Sequence, residues 1–356
     1  LAESVFSNWI PVEYGTQVIQ KVTQTSAAEN YGQEFMMTSS SRYVARDAGV
    51  TAALVPKGGT YNEDATGGSS VLLTAGKWGA QVRIAEEDIM DSLADIINSK
   101  ANALGTAMAK ITDNMAFGNA SPPGVVNAQT TSVYYGLTQS DANTGYVGNA
   151  NLFATPNASG GSLGTLSGSA PYDPFGYDLL SNALGQVEQG DYFNEEDMIV
   201  IAHPFWRKQL RSIKDGQGRP IFDEGSTGGF PGGGQGPTPD RIFGLPVFWS
   251  LGAVVTGGAL GGNTGPVSSP PAYVGTTASG SAPVGTPGNR LMIFTNRLYM
   301  LLGKRTTNPN NPSGTPEFQI VPPMYSGTDD TILRGRIRRA FAMGVEQAFS
   351  CIESVS

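Results

Sequence analysis

Cysteine and histidine are almost missing from this chain: among 356 residues there is one of each, Cys351 and His203. A single cysteine excludes an intramolecular disulfide, and a single histidine excludes zinc sites built from Cys/His sets. Charge is sparse at 15% of residues, and the balance is acidic, with a net charge of -8. That sign argues against a protein that grips nucleic acid by neutralising phosphates, since such work needs a basic face. No apolar run reaches the roughly 18 to 20 residues of a membrane span, and no basic-then-apolar segment opens the sequence. A soluble chain with no membrane partner, metal or cofactor is therefore expected, held by packing and association.

Glycine and proline are abundant instead. The 47 glycines and 23 prolines approach a fifth of the chain, against a usual share of about an eighth. They gather in residues 119–172, 225–236 and 252–289. The first of these stretches carries aromatic islands at Tyr134, Tyr135, Tyr146 and Phe153. A structureless loop that long is unusual inside a compact domain, so it is read as an insertion that folds as a surface lobe or orders on assembly. The sequence begins at Leu1, which implies either a processed end of a longer precursor or a head segment outside this numbering.

Between these stretches the periodicities are readable. Residues 1–46 mix short apolar patches such as Trp9 and Ile10 with polar runs and suit an extended arm. Residues 47–85 read as a long hairpin with strands near 43–55 and 71–84. In the second strand Trp78, Ala80, Val82 and Ile84 alternate with Lys77, Gly79, Gln81 and Arg83, the period of a half-exposed strand. The tip, residues 56–70, holds Lys57 and is too long and polar for a tight turn. Residues 86–118 return apolar side chains every three or four positions and predict one helix of about 45 Å at 1.5 Å per residue. Asp173-Pro174 is expected to cap a helix whose buried face is Leu179, Leu180, Ala183, Leu184 and Val187. Near the end, residues 332–345 read as the last strand, with Leu333, Ile337, Phe341 and Met343 on one side and Arg334, Arg336 and Arg338 on the other. That basic row suits a neighbour's acidic residues, or is a solvated face.

The most informative stretch is residues 198–222. Met198-Ile-Val-Ile-Ala202 is a continuous apolar run of the kind that forms a strand covered on both faces, and Pro204 stops it. Phe205, Trp206, Leu210 and Ile213 then repeat at helical spacing, and Lys214-Asp-Gly-Gln-Gly-Arg-Pro220 is turn chemistry. Arg241-Ile-Phe-Gly-Leu-Pro-Val247 follows. This series resembles the major capsid protein of tailed bacteriophages of the Hong Kong 97 type. The resemblance implies an α+β fold with an N-terminal arm (1–46), an extended β-hairpin or E-loop (47–85), a peripheral (P) domain with a long spine helix (86–118), the insertion (119–172), an axial (A) domain (173–296) and return strands of the P domain (297–356). It implies a non-enzymatic subunit forming hexamers and pentamers of an icosahedral head that encloses double-stranded DNA without sequence-specific binding, located in the virion capsid. Scaffolding, decoration and portal proteins are the further partners it implies. Trp9, Lys57, Trp78, Val82, Ile84, Arg334, Arg336 and Arg338 are the expected assembly contacts. An encapsulin-like compartment shell is the nearest alternative.

Site chemistry was weighed against this reading. Gly160-Gly-Ser-Leu-Gly164 matches a nucleophile-elbow pattern, but no apolar strand precedes it and no helical period follows, so a secreted serine hydrolase using Ser162 and His203 is remote. Asp191, Glu195, Glu196 and Asp197 form an acidic cluster that surface solubility explains as well as a cation site. Lys57 and Lys77 are the lysines a cross-linking member of the family would use, with no catalytic glutamate fixed beside them.

Overall fold

The structure, a computed structural model, describes residues 25–47, 54–60, 68–91, 96–119, 130–138, 140–141, 146–147, 152–156, 176–213, 241–256, 288–305, 316–321 and 329–355. Its elements begin with α1 (Ala27–Tyr31), β1 (Gln33–Met37), β2 (Ser41–Asp47), β3 (Gly68–Thr74), β4 (Gly76–Ala85), α2 (Glu86–Asp91) and α3 (Ile96–Phe117). Next come α4 (Val133–Thr138), β5 (Ser140–Asp141), β6 (Tyr146–Val147), β7 (Leu152–Pro156), α5 (Tyr177–Glu188), β8 (Met198–Ala202), α6 (Trp206–Ser212), β9 (Arg241–Ile242) and β10 (Leu245–Trp249). The chain closes with β11 (Leu291–Asn296), β12 (Met300–Arg305), β13 (Glu317–Val321), β14 (Asp330–Met343) and β15 (Phe349–Val355).

Two sheets organise these elements. One has six strands in the order β7-β15-β11-β8-β10-β9. In it β8 lies parallel to β10 and antiparallel to β11, and all five β8 residues are buried. The reason is that both faces are covered. Ile199 and Ile201 face Phe117, Leu137 and Phe349. Val200 and Ala202 face Leu180 and Val187 of α5 and Trp206 and Leu210 of α6. The hairpin β9-β10 turns through Phe243 (φ 52°) and Gly244 (φ 82°), the two-residue geometry that demands positive φ. Phe243 holds that conformation with its ring edge-on to Tyr177, 5.1 Å between centroids.

The other sheet is built on β14. Its residues 330–339 pair with β4 along one edge, while 332–336 pair with β13 and 339–343 with β12 along the other. The spine helix α3 crosses its apolar face, where Gly335 lets it approach closely: a Cβ there would lie 2.9 Å from Leu104 Cδ2, so the Leu104 side chain would have to shift. Two chain passages join the sheets, from β11 into β12 through a 3-10 turn at Arg297–Tyr299 and from β14 into β15 through another at Glu346–Ala348.

Three expectations need correction. The long hairpin is two elements: β3 pairs with β2, but β4 leaves the ribbon and pairs with β14, because Ala75 sits between them with its N–H bonded to Ser40. Of the helix expected over 86–118, α2 and α3 are described, the latter with 22 residues or about 33 Å; residues 92–95 lie outside the described residues. The stretch 119–172 is not wholly peripheral, since Val133, Tyr134, Tyr135 and Leu137 of α4 are buried and β7 extends the six-stranded sheet. Finally, β14 is not the last strand. The chain returns as β15 to the six-stranded sheet, where Phe349, Cys351 and Ile352 are fully buried. Helix α5 buries the predicted face but begins at an N-cap Gly176 with no side-chain cap; residues 173–175 lie outside the described residues.

A buried carboxylate fastens these parts together. Asp113 of α3, with 0% exposure, accepts hydrogen bonds from Ser26 Oγ (2.5 Å), Ala27 N–H (3.1 Å), Ala28 N–H (3.1 Å) and Ser250 Oγ (2.5 Å). It thus binds the start of α1 and the segment after β10 to the spine. Asn114 extends the fastening by donating to the carbonyls of Gly252 (3.1 Å) and Val254 (2.7 Å). Replacing Asp113 by alanine strands four donors in a dry site and is expected to cost about 3 kcal/mol or more, read as a lowered urea midpoint of the subunit. Burial holds the Asp113 carboxyl above its ordinary 3.8 against the pull of these bonds. The folded state therefore keeps the proton longer than the unfolded chain, so this group's contribution is complete below 3.8 and falls as pH rises through the raised value. Across that window stability should fall more steeply with pH in the wild type than in Asp113→Asn.

Candidate assembly surfaces

Alternation along β14 sorts its side chains. Leu333, Gly335, Ile337, Arg339 and Phe341 turn to the α3 side, and Arg334, Arg336 and Arg338 to the opposite face. Cations on the covered side are paired. Arg339, only 2% exposed, meets Glu29 at 2.6 Å, and Lys304 meets Glu34. On the open face Arg336 binds Glu317 at 2.7 Å and Arg83 approaches Asp330 at 3.8 Å. Arg334 reaches only the Gln81 amide, at 3.5 Å. Arg338 lies directly across from Lys77, and Arg305, at the end of β12, flanks it on the other strand. Burial and the charge of Arg305 pull the Arg338 guanidinium below its ordinary value.

Apolar surface is also left open. Strand β13 pairs with β14 alone among the described residues, and its Phe318 and Ile320 are 53% and 58% exposed. In the β2-β3 ribbon Tyr43 is 69% exposed, and Leu54 is 98% exposed. The expected contacts divide on this map. Lys57 is exposed beyond the ribbon, and Arg334, Arg336 and Arg338 line the open face. Trp78, Val82 and Ile84 sit not on the hairpin but on β4, opposite Ile337, Leu333 and Thr331. Ile84 is buried within the subunit and is a core position, whereas Trp78 and Val82 are half-buried. Trp9 lies outside the described residues.

The catalytic alternatives gain nothing from the geometry. Residues 160–164, with Ser162, lie outside the described residues. His203 accepts the Phe205 N–H at Nδ1 (3.1 Å); burial, with Arg290 and Lys110 nearby, lowers its pKa to about 4. It is thus a neutral turn residue at neutral pH. No group of three or more metal-ligating side chains occurs among the described residues. Cys351 is fully buried, and burial and Glu353 push its thiol up.

Two carboxylates with 0% exposure were not singled out from the sequence. Asp113 is one. Glu353 is the other, with 0% exposure, accepting from Tyr134 Oη (3.0 Å) and Asn289 Nδ2 (2.8 Å). The signal for each was an acidic residue inside an otherwise buried pattern, at the inward position of α3 and of β15.

The sequence pattern of the Phage capsid family matches residues 7–262, while no curated protein matches the chain. Solved structures share the fold over essentially the full length. One from Mycobacterium phage Ogopogo superposes with a TM-score of 0.64 at 12% identity, covering 100% of both chains. One from Microbacterium phage Oxtober96 gives 0.62 at 15% identity, covering 98% of this chain and 97% of that one. The capsid of a native GTA particle gives 0.60 at 14% identity, covering 99% and 98%. Two sheets joined by crossing strands, a spine helix on one of them and the matched sequence pattern place this chain in the phage capsid family, with the Hong Kong 97-type fold of a major capsid protein.

Proposed function

We propose that the chain assembles as hexamers and pentamers into the icosahedral head of a tailed phage, enclosing double-stranded DNA without reading its sequence. The observation that carries this reading is the open apolar edge: a folded subunit that leaves Phe318 and Ile320 more than half exposed on a strand paired along one edge only among the described residues presents the kind of patch and edge that neighbours cover. Each contact is modest. A closed symmetric lattice makes many at once, and their summed effect is a container that is kinetically long-lived.

The parts take roles within that scheme. Within the arm expected over residues 1–46, α1 and β1 pack into the body and β2 joins the ribbon, so the arm role falls to the residues ahead of α1, whose Asp113 and Arg339 contacts fix the point of departure. The β2-β3 ribbon, with Lys57 beyond it, serves as the extended loop that rests on a neighbour. The five-stranded sheet with α3 forms the peripheral part, and the six-stranded sheet with α5 and α6 the axial part. The net charge of -8 suits a wall that does not adhere to the packaged polyanion. Scaffolding, decoration and portal proteins would complete the head.

Electron microscopy of particles formed by the chain tests the proposal: closed polyhedral shells, loaded with DNA when taken from virions, are expected. Shells filled with protein cargo, or a uniform small monomer, would overturn it. Phe318→Ser/Ile320→Ser should leave the subunit's unfolding midpoint within about 0.5 kcal/mol of wild type, as for exposed sites, while shell yield measured by sedimentation falls.

A further inference from the structure

Three cations stand abreast across three neighbouring strands: Lys77 on β4, Arg338 on β14 and Arg305 on β12. Like charges placed directly opposite in a sheet are destabilising. Here no carboxylate relieves them: among the described residues none of the three, nor Arg334, forms an ion pair. The Nε of Arg338 is buried and has no hydrogen-bond acceptor. The other face of the same sheet behaves differently, since Arg339 and Lys304 are each matched with a glutamate. The unmatched row lies on the opposite face, where Lys77 is exposed and Arg305 and Arg338 are half-buried beside the buried Ala340.

The same chain carries an unmatched set of the opposite sign. Glu188, Asp191, Glu195 and Glu196 are exposed within nine residues, and none forms an ion pair among the described residues. Glu188 lies in the last turn of α5, where the helix dipole adds repulsion. Some other acids are compensated: Glu86, Glu87 and Asp88 occupy the first turn of α2, where the dipole favours them, and Glu34 is paired with Lys304. Within one copy no ion pair joins the two sets.

We propose that the Lys77-Arg338-Arg305 row is the docking site for the acidic turn at residues 188–196 of a second copy of this chain. This rests on the shell reading above. A contact between two different patches of one chain is heterologous, and when its rotation closes it generates rings, the arrangement that hexamers and pentamers require. A neighbour's turn is favoured over a nucleic-acid backbone because the chain's net charge of -8 opposes a polyanion, whereas the turn supplies carboxylates that the three cations of the row lack among the described residues.

The test is a charge swap in the full-length chain, with assembled fraction read by sedimentation at low and high salt. Glu195→Lys/Glu196→Lys alone and Lys77→Glu/Arg338→Glu alone should each reduce association by about tenfold or more at low salt, and the quadruple variant should recover most of it, as expected for coupled charge pairs. Lys77→Gln/Arg338→Gln guards against misfolding of the sheet and should show the same loss with a flatter salt dependence. Losses that simply multiply in the quadruple variant would overturn the contact. So would sheet variants that form shells normally but retain less DNA, which would assign the row to the nucleic acid. Wild-type shells alongside variants that assemble equally well remove this contact alone; a wild-type chain that never associates removes the shell reading as well.

Discussion

The molecule depends on the pairing of β14. Fourteen residues long, the strand extends about 45 Å and is hydrogen-bonded on both edges, by β4 on one side and by β13 and β12 on the other. Through the short 3-10 turn at Glu346–Ala348 the chain then enters β15, which pairs with β11 and β7 in the six-stranded sheet. The strand that sets the register of the first sheet is therefore tied by a five-residue passage to the second. Gly344, at the passage, donates to Tyr299 of the neighbouring passage at 2.7 Å, so the two crossings brace each other.

The alternation of that strand divides labour between its faces. The apolar side builds the core under α3, with Gly335 admitting Leu104 and Met108. The other side packs at its ends through Ile332, Ala340 and Ala342 and between them carries Arg334, Arg336 and Arg338, of which Arg336 is paired with Glu317. A protein selected only for subunit stability has little reason to align arginines without partners, because exposed ion pairs contribute little and unpaired like charges oppose one another. In a shell subunit the same surface has a use, since stability resides in contacts between copies and a single copy is an incomplete object. The buried Asp113 complements this design from inside: it fixes α1, the spine and the segment after β10 as one unit, so that surfaces on different elements are held at constant spacing.

Much of this was legible in the sequence where one physical signal dominated. The doubly covered strand β8 was visible in its unbroken apolar run and the α5 face in its period, whereas the β9-β10 hairpin was not read, its turn depending on a positive φ at Phe243. The errors have a common source, because sequence pattern reports burial but not partner. Residues 71–84 alternate as a strand should, yet a switch at Ala75 sends the first half to β2 and the second to β14. Gly/Ser/Asn-rich composition in residues 119–172 hid the buried helix α4, which a four-residue apolar island supports. The C-terminal strand was missed because Ser350, Glu353 and Ser354 interrupt its apolar pattern. They are buried all the same, and Glu353 and Ser354 are hydrogen-bonded there.

The central claim is that the subunit's uncovered surfaces are complementary to other copies of itself. A reconstruction of the assembled shell resolved to side chains examines it most directly. It should show the β13 edge with Phe318 and Ile320 buried, and carboxylates of an adjacent copy within salt-bridge distance of Arg338. A shell in which both surfaces remain open to solvent would contradict the account.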